Sequence, residues 1–224
     1  MSDLNLVLLG PPGSGKGTQG ERLQEDFQLP YFATGDILRT AVAEGTDLGK
    51  EADEYMQRGD LAPDEIVVGI IVERIAIAEA ADGFILDGFP RTLRQGEALD
   101  EALKGAGRLL TAVLLFDVNN EEVTRRLGGR RTCTDNGHVF HVDFNPPKTE
   151  GICDIDGSEL IIRRDDRPEV IEKRLSNYHD LTKPLVGYYE QVGVLRHVEG
   201  CKPPDEVGAD IRGLLATLRM EEGA

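Results

Sequence analysis

A chain of 224 residues with 40% hydrophobic residues is large enough for one sizeable globular core with room for insertions, and its formal net charge of −16 argues against a general nucleic-acid binder. The best apolar run, residues 66–81, is interrupted by Glu73 and Arg74, so no stretch is long and apolar enough to cross a bilayer. Three cysteines (Cys133, Cys153, Cys201) are too few for a disulfide scaffold and point to a reducing, cytoplasmic setting.

The N-terminus runs directly into Leu4–Leu9, a buried-strand pattern with no basic start or cleavage site, so no signal peptide is expected. Gly10-Pro11-Pro12-Gly13-Ser14-Gly15-Lys16 then fits the phosphate-cradling pattern G-x-x-x-x-G-K, with a hydroxyl residue, Thr18, close behind. Glycines let the backbone fold around an anion with successive N–H groups pointing inward. Lys16 offers a cation to the β/γ-phosphates and Thr18 a magnesium ligand. Residues 17–27 read as a helix with Leu23 and Phe27 four apart, so a helix N-terminus faces the phosphates.

Further strands are predicted at Tyr31–Ala33, Gly83–Leu86, Thr111–Phe116 and Val194–Val198. Helices are predicted near 64–80, 92–103, 119–127, 168–191 and 204–219, with Pro63 and Pro168 as first-turn prolines. This alternation implies an α/β domain with a parallel sheet covered on both faces. Residues 34–62 break the rhythm as a small helical insertion. Residues 129–166, rich in turn formers with short β-type runs, read as a β-rich lid.

Residues 10–19, Thr34-Gly35-Asp36-Ile37-Leu38-Arg39, Asp87-Gly88-Phe89-Pro90-Arg91-Thr92, Gly129-Arg130-Arg131, Phe144-Asn145-Pro146-Pro147-Lys148, Arg163-Arg164-Asp165-Asp166 and Lys173-Arg174-Leu175 occur in one order. Through them the chain resembles, almost end to end, the long-lidded bacterial adenylate kinases, within the nucleoside monophosphate kinase family. The resemblance implies a three-layer P-loop α/β fold with a five-stranded parallel sheet. Its parts are a core (1–33, 63–128 and 167–224), an AMP-binding insertion (34–62) and a lid over ATP (129–166). It further implies reversible, magnesium-dependent transfer, ATP + AMP ⇌ 2 ADP, by a monomer with no nucleic-acid or membrane partner.

Two polyanions must meet in such a reaction, so cation placement and alignment matter more than acid–base chemistry, and no general base is expected. The resemblance assigns ATP to Gly13, Ser14, Gly15, Lys16, Gly17, Thr18, Arg126, Arg130, Val139, Phe140 and the Lys202 backbone. It assigns AMP to Thr34, Gly35, Arg39, Asp60, Leu61, Ala62, Gly88, Phe89, Pro90, Arg91, Gln95, Arg163 and Arg174. Lys16, Arg91, Arg130, Arg163 and Arg174 are the implied catalytic cations, with Asp87, at the end of an apolar strand, holding the magnesium shell. Arginine suits phosphate because its planar fork bonds two oxygens at once. Asp165 and Asp166 are hinge acids that organise arginines in the resemblance, and a solvated charge run otherwise.

In the lid, Cys133 and His138 (C-x4-H) face Cys153 and Asp156 (C-x2-D), a zinc-competent set. Asn136 stands where a second cysteine could be, His141 competes with His138, and a metal-free hydrogen-bond network is the alternative. Cys201 reads as a small buried or half-buried residue. Two other functions fit parts of the pattern. One is a kinase for UMP, CMP or a non-nucleotide acceptor; Thr34, Gln95 and the long lid favour AMP over it. The other is a GTPase-like switch, against which the absent N-K-x-D motif counts.

Overall fold

The computed structural model describes residues 3–76 and 82–222, and its main sheet has five parallel strands in the order β2-β3-β1-β4-β8. These are β1 (Leu4–Leu9), β2 (Tyr31–Ala33), β3 (Gly83–Asp87), β4 (Ala112–Asp117) and β8 (Leu195–Glu199). Central β1 pairs with β3 on one side and β4 on the other. The crevice at its carboxyl end is where such sheets bind ligands.

Every residue of β1 is buried, because alternate side chains serve two different cores. Val7 and Leu9 pack with Ile71 of α4 (Asp64–Ala76), Leu99 of α5 (Leu93–Gly105) and Leu185 of α8 (Pro184–Val192). Leu6 and Leu8 pack with Leu23 of α1 (Lys16–Phe27) and Ile211 and Leu215 of α9 (Pro204–Glu222). That is the expected three-layer arrangement.

Helices α2 (Thr34–Glu44) and α3 (Asp47–Arg58) fill the predicted insertion. A separate antiparallel sheet, β6-β5-β7, is built from β5 (Arg130–Cys133), β6 (Val139–His141) and β7 (Leu160–Ile161). Its buried cluster is only Cys133, Phe140, Cys153 and Leu160. Helix α6 (Asn120–Gly129) leads into this sheet.

Two helix expectations change. Pro63 precedes α4 instead of filling its first turn: its carbonyl accepts from the N–H groups of Ile66 and Val67. The predicted extension to residue 80 lies outside the described residues from 77 onward. The single helix expected over 168–191 is two, α7 (Pro168–Asn177) and α8, joined by a wide π-type turn over Tyr178–Thr182. Pro184 has no N–H and cannot continue the ladder, and Lys183 N–H bonds back to the Tyr178 carbonyl at 2.8 Å. Pro168 does sit in the first turn of α7.

Candidate active site

The loop from β1 to α1 reaches φ values of 75° at Gly13 and 98° at Gly15, in the region that favours glycine. A Cβ on Gly13 would also meet Leu127 at 2.8 Å. Gly15 caps α1 without a side-chain bond, so first-turn N–H groups stay available to an anion. Lys16 Nζ folds back on the loop, donating to the carbonyls of Gly10 (2.9 Å) and Pro11 (2.8 Å) and to Ser14 Oγ (3.2 Å). Gly17 occupies the place directly after Lys16, and Thr18 follows with its side chain exposed to the crevice.

Around this loop lies a cavity of about 1040 Å³, lined by Lys16, Arg39, Arg91, Arg126, Arg130, Arg163 and Arg174. It exceeds the roughly 300–1,000 Å³ of a typical single-ligand pocket. The cations are close enough to perturb one another. Enclosure, then Arg174, lowers Arg91 to about 10; enclosure, then Arg130, lowers Arg163 to about 10. A cationic group held this way favours an incoming polyanion.

Asp165 and Asp166 settle as braces, not a solvated run. The Asp166 side chain is fully buried and receives Arg130 in a fork, Nε–Oδ2 at 2.7 Å and Nη2–Oδ1 at 2.6 Å, plus Arg174 Nη1 at 3.1 Å. Asp165 lies 3.0 Å from Arg174 and 3.9 Å from Arg39. Arg126 spans the crevice rim, donating to the carbonyls of Ser14 (3.3 Å) and Gly200 (2.9 Å). Arg163 Nε donates to Thr132 Oγ1 at 2.9 Å.

Beside the cavity is a recess lined by Thr34, Leu61, Ala62, Gly88, Arg91 and Gln95, among others. Thr34 Oγ1 is buried there without a protein partner. Gly88, at φ 75°, lets the Arg91 guanidinium lie against it, where a Cβ would meet Nη2 at 2.8 Å. Arg91 Nε donates to the Gly88 carbonyl at 2.8 Å. Gly35, Arg39 and Asp60 also line the recess. Phe89 does not: its side chain is fully buried in the core beneath. Pro90 and Val139 line the main cavity, as does Phe140 from the lid core. The Lys202 ammonium is held by Asp210 at 2.8 Å, and its backbone N–H donates to the Glu199 carbonyl at 3.5 Å.

Asp87 ends β3 at the crevice, with one carboxylate oxygen taken by the Tyr31 hydroxyl at 2.8 Å. Sequence reading missed Tyr31, since its partner lies 56 positions away. Thr182, also missed, is buried in the π-type turn and donates to the Arg91 carbonyl at 2.9 Å. Thr18 and the Asp87 carboxylate line the same cavity, and both are hard-oxygen donors of the kind magnesium takes.

In the lid, ligand atoms of Cys133, His138, Cys153 and Asp156 lie within 4.8 Å of one another. Asn136 donates to Asp156 Oδ2 at 2.8 Å instead of facing this group as a ligand. His141 is elsewhere: its Nδ1 accepts from the Asp143 and Phe144 N–H groups, and its buried Nε2 has no protein partner. Cys201 is exposed, contrary to expectation, in the turn after β8.

Enclosure among the site's arginines lowers the Lys16 ammonium to about 8. Bound phosphates favour its charged form, so nucleotide binding near pH 8–9 should take up a proton, and ATP affinity should weaken as pH rises through 8. Calorimetry in buffers of different ionisation enthalpy checks this; equal apparent enthalpies at pH 8.5 would show no uptake.

Fold and site together define a P-loop nucleotide phosphotransferase with a second recess lined by Arg39, Arg91 and Arg174. Residues 8–194 match the family model described as adenylate kinase. An adenylate kinase of Oceanobacillus iheyensis is 48% identical over 212 residues, covering 95% of this chain and 99% of that protein. One from Staphylococcus aureus is 47% identical over 215 residues, covering 96% and 100%. One from Agathobacter rectalis is 44% identical over 212 residues, covering 95% and 99%. The chain belongs to the adenylate kinase family, and its reaction is the magnesium-dependent phosphotransfer ATP + AMP ⇌ 2 ADP.

Proposed function

We propose that this enzyme holds ATP and AMP end to end and passes the phosphoryl group between them by cation placement, without a general base. The observation that carries this reading is a cavity where Lys16, Arg39, Arg91, Arg126, Arg130, Arg163 and Arg174 converge beside a recess with an unpartnered Thr34 hydroxyl. Residues 13–18, Arg126, Arg130, Val139, Phe140 and the Lys202 backbone hold ATP. Residues 34–35, Arg39, residues 60–62, Gly88, Pro90, Arg91 and Gln95 hold AMP, whose ionised phosphate oxygen is the nucleophile. Lys16, Arg91, Arg130, Arg163 and Arg174 meet the charge that spreads over the moving group. Thr18 and Asp87 hold the metal shell, which neutralises charge on the ATP phosphates.

On this reading residues 1–33, 63–128 and 167–224 are the core, 34–62 the AMP-binding insertion and 129–166 the lid. Both subsites come from one chain, which supports a monomer. Among the described residues no helix is long and apolar enough to cross a membrane. The three free thiols and the adenine substrates support a cytoplasmic setting, and the net charge of −16 supports no nucleic-acid partner. A coupled assay for ADP from ATP and AMP, with and without magnesium, tests the reaction. In it, Arg91→Ala should raise the KM for AMP at least about tenfold while that for ATP changes little. Equal effects on both would remove Arg91 from the AMP side.

The lid group binds a structural zinc. A buried cluster of four residues, two of them its own cysteines, is a small core for a lobe of this size, so a metal adds most here. Protein expressed without added zinc should carry close to one equivalent and melt lower after chelation. Substoichiometric zinc with an unchanged melting temperature would leave the hydrogen-bond network as the lid's staple.

A further inference from the structure

Gln95 is 2% exposed, and an amide is a two-sided group: flipped by half a turn, it exchanges its donor and acceptor. Three neighbours hold it. The Arg91 N–H donates to Oε1 at 2.7 Å, and Nε2 donates to Asp64 Oδ1 at 2.7 Å. The Gln95 N–H donates to Thr92 Oγ1 at 3.1 Å, and that hydroxyl donates to the Asp64 carboxylate at 3.2 Å. Asp64 belongs to the first turn of α4, 31 positions from Gln95.

We propose that Asp64 is a specificity-determining positioning residue, whose contact with Gln95 fixes the direction in which the amide reads the acceptor base. This rests on the reading of Gln95 as a contact to the AMP base. A carboxylate is acceptor-only, so it admits one amide orientation, the one the Arg91 N–H also requires. In that orientation one Nε2–H and one Oε1 lone pair remain for the recess. A 6-amino purine answers both, accepting at ring N1 and donating from its amino group. A 6-oxo purine such as inosine monophosphate carries a hydrogen on N1 and an acceptor at position 6, and so meets donor with donor and acceptor with acceptor. A buried polar pair left unmade is the strongest means a site has to reject an analogue. The lock thus excludes deaminated acceptors without a steric barrier.

The test compares kcat/KM for AMP and for inosine monophosphate in wild type, Asp64→Asn and Gln95→Leu. Each is a ratio from one preparation, so a smaller folded fraction does not alter it. An asparagine offers one donor and one acceptor, so it no longer excludes the flipped amide and leaves the Arg91 N–H as the remaining bias. Asp64→Asn should therefore narrow the AMP preference about tenfold, with the KM for ATP unchanged. Discrimination kept in Asp64→Asn but lost in Gln95→Leu would overturn the proposal and leave Asp64 as a brace between α4 and α5. Discrimination and AMP KM unchanged in Gln95→Leu would overturn it differently, by removing Gln95 from the base site. Should Asp64→Asn not fold, Asp64→Ser, which also donates and accepts and suits a helix start, carries the same expectation.

Discussion

Lys16→Met should lower kcat at least about a thousandfold, the scale on which single cations act in phosphoryl transfer. Methionine keeps a comparable length and removes the charge. Lys16 Nζ is satisfied by two loop carbonyls and Ser14 Oγ, all within 3.2 Å. It must exchange these for phosphate oxygens, and it is most useful where negative charge accumulates in transfer. An interaction made chiefly in the transition state appears in kcat more than in ground-state affinity. ATP affinity, measured by titration without AMP, should thus fall far less than turnover. Turnover within tenfold of wild type would remove Lys16 from the transferring group.

The second large effect is expected at Asp166. Its carboxylate, fully buried, is the shared counter-ion of Arg130 and Arg174. Asp166→Ala leaves Arg130 without that fork and Arg174 with Asp165 alone, at 3.0 Å. Removing one partner of a buried ion pair costs about 3–5 kcal/mol, because the remaining charge stays desolvated. In a domain of this size that lowers the melting temperature by roughly 10 °C. Turnover should fall as well, since the two guanidinium groups lose their alignment. ATP supplies replacement negative charge, so saturating nucleotide should recover more melting temperature in the variant than in wild type. A shift below about 3 °C with turnover near wild type would show that Asp166 is not the brace.

Local patterns carried much of this protein. The apolar run Leu4–Leu9, the glycines before Lys16 and the helix signal after them concern residues that touch their neighbours in sequence, and strand, loop and helix stand where those patterns place them. The break in the helix expected over 168–191 has an equally local cause: Pro184 removes an N–H whose effect a periodicity count does not register.

By itself, the sequence determined the phosphate loop, the alternation of strands and helices and the candidate arginines. These follow from residue type and short spacing. Only the tertiary structure decided which arginines share a counter-ion, that Asp166 is buried under two of them, that Tyr31 holds Asp87, and which way Gln95 points. Those pairs lie 8 to 56 positions apart or reverse roles with a flipped amide. Burial and pairing belong to the packed molecule: a charge in the string is ordinary surface until the fold takes away its water and hands it one partner.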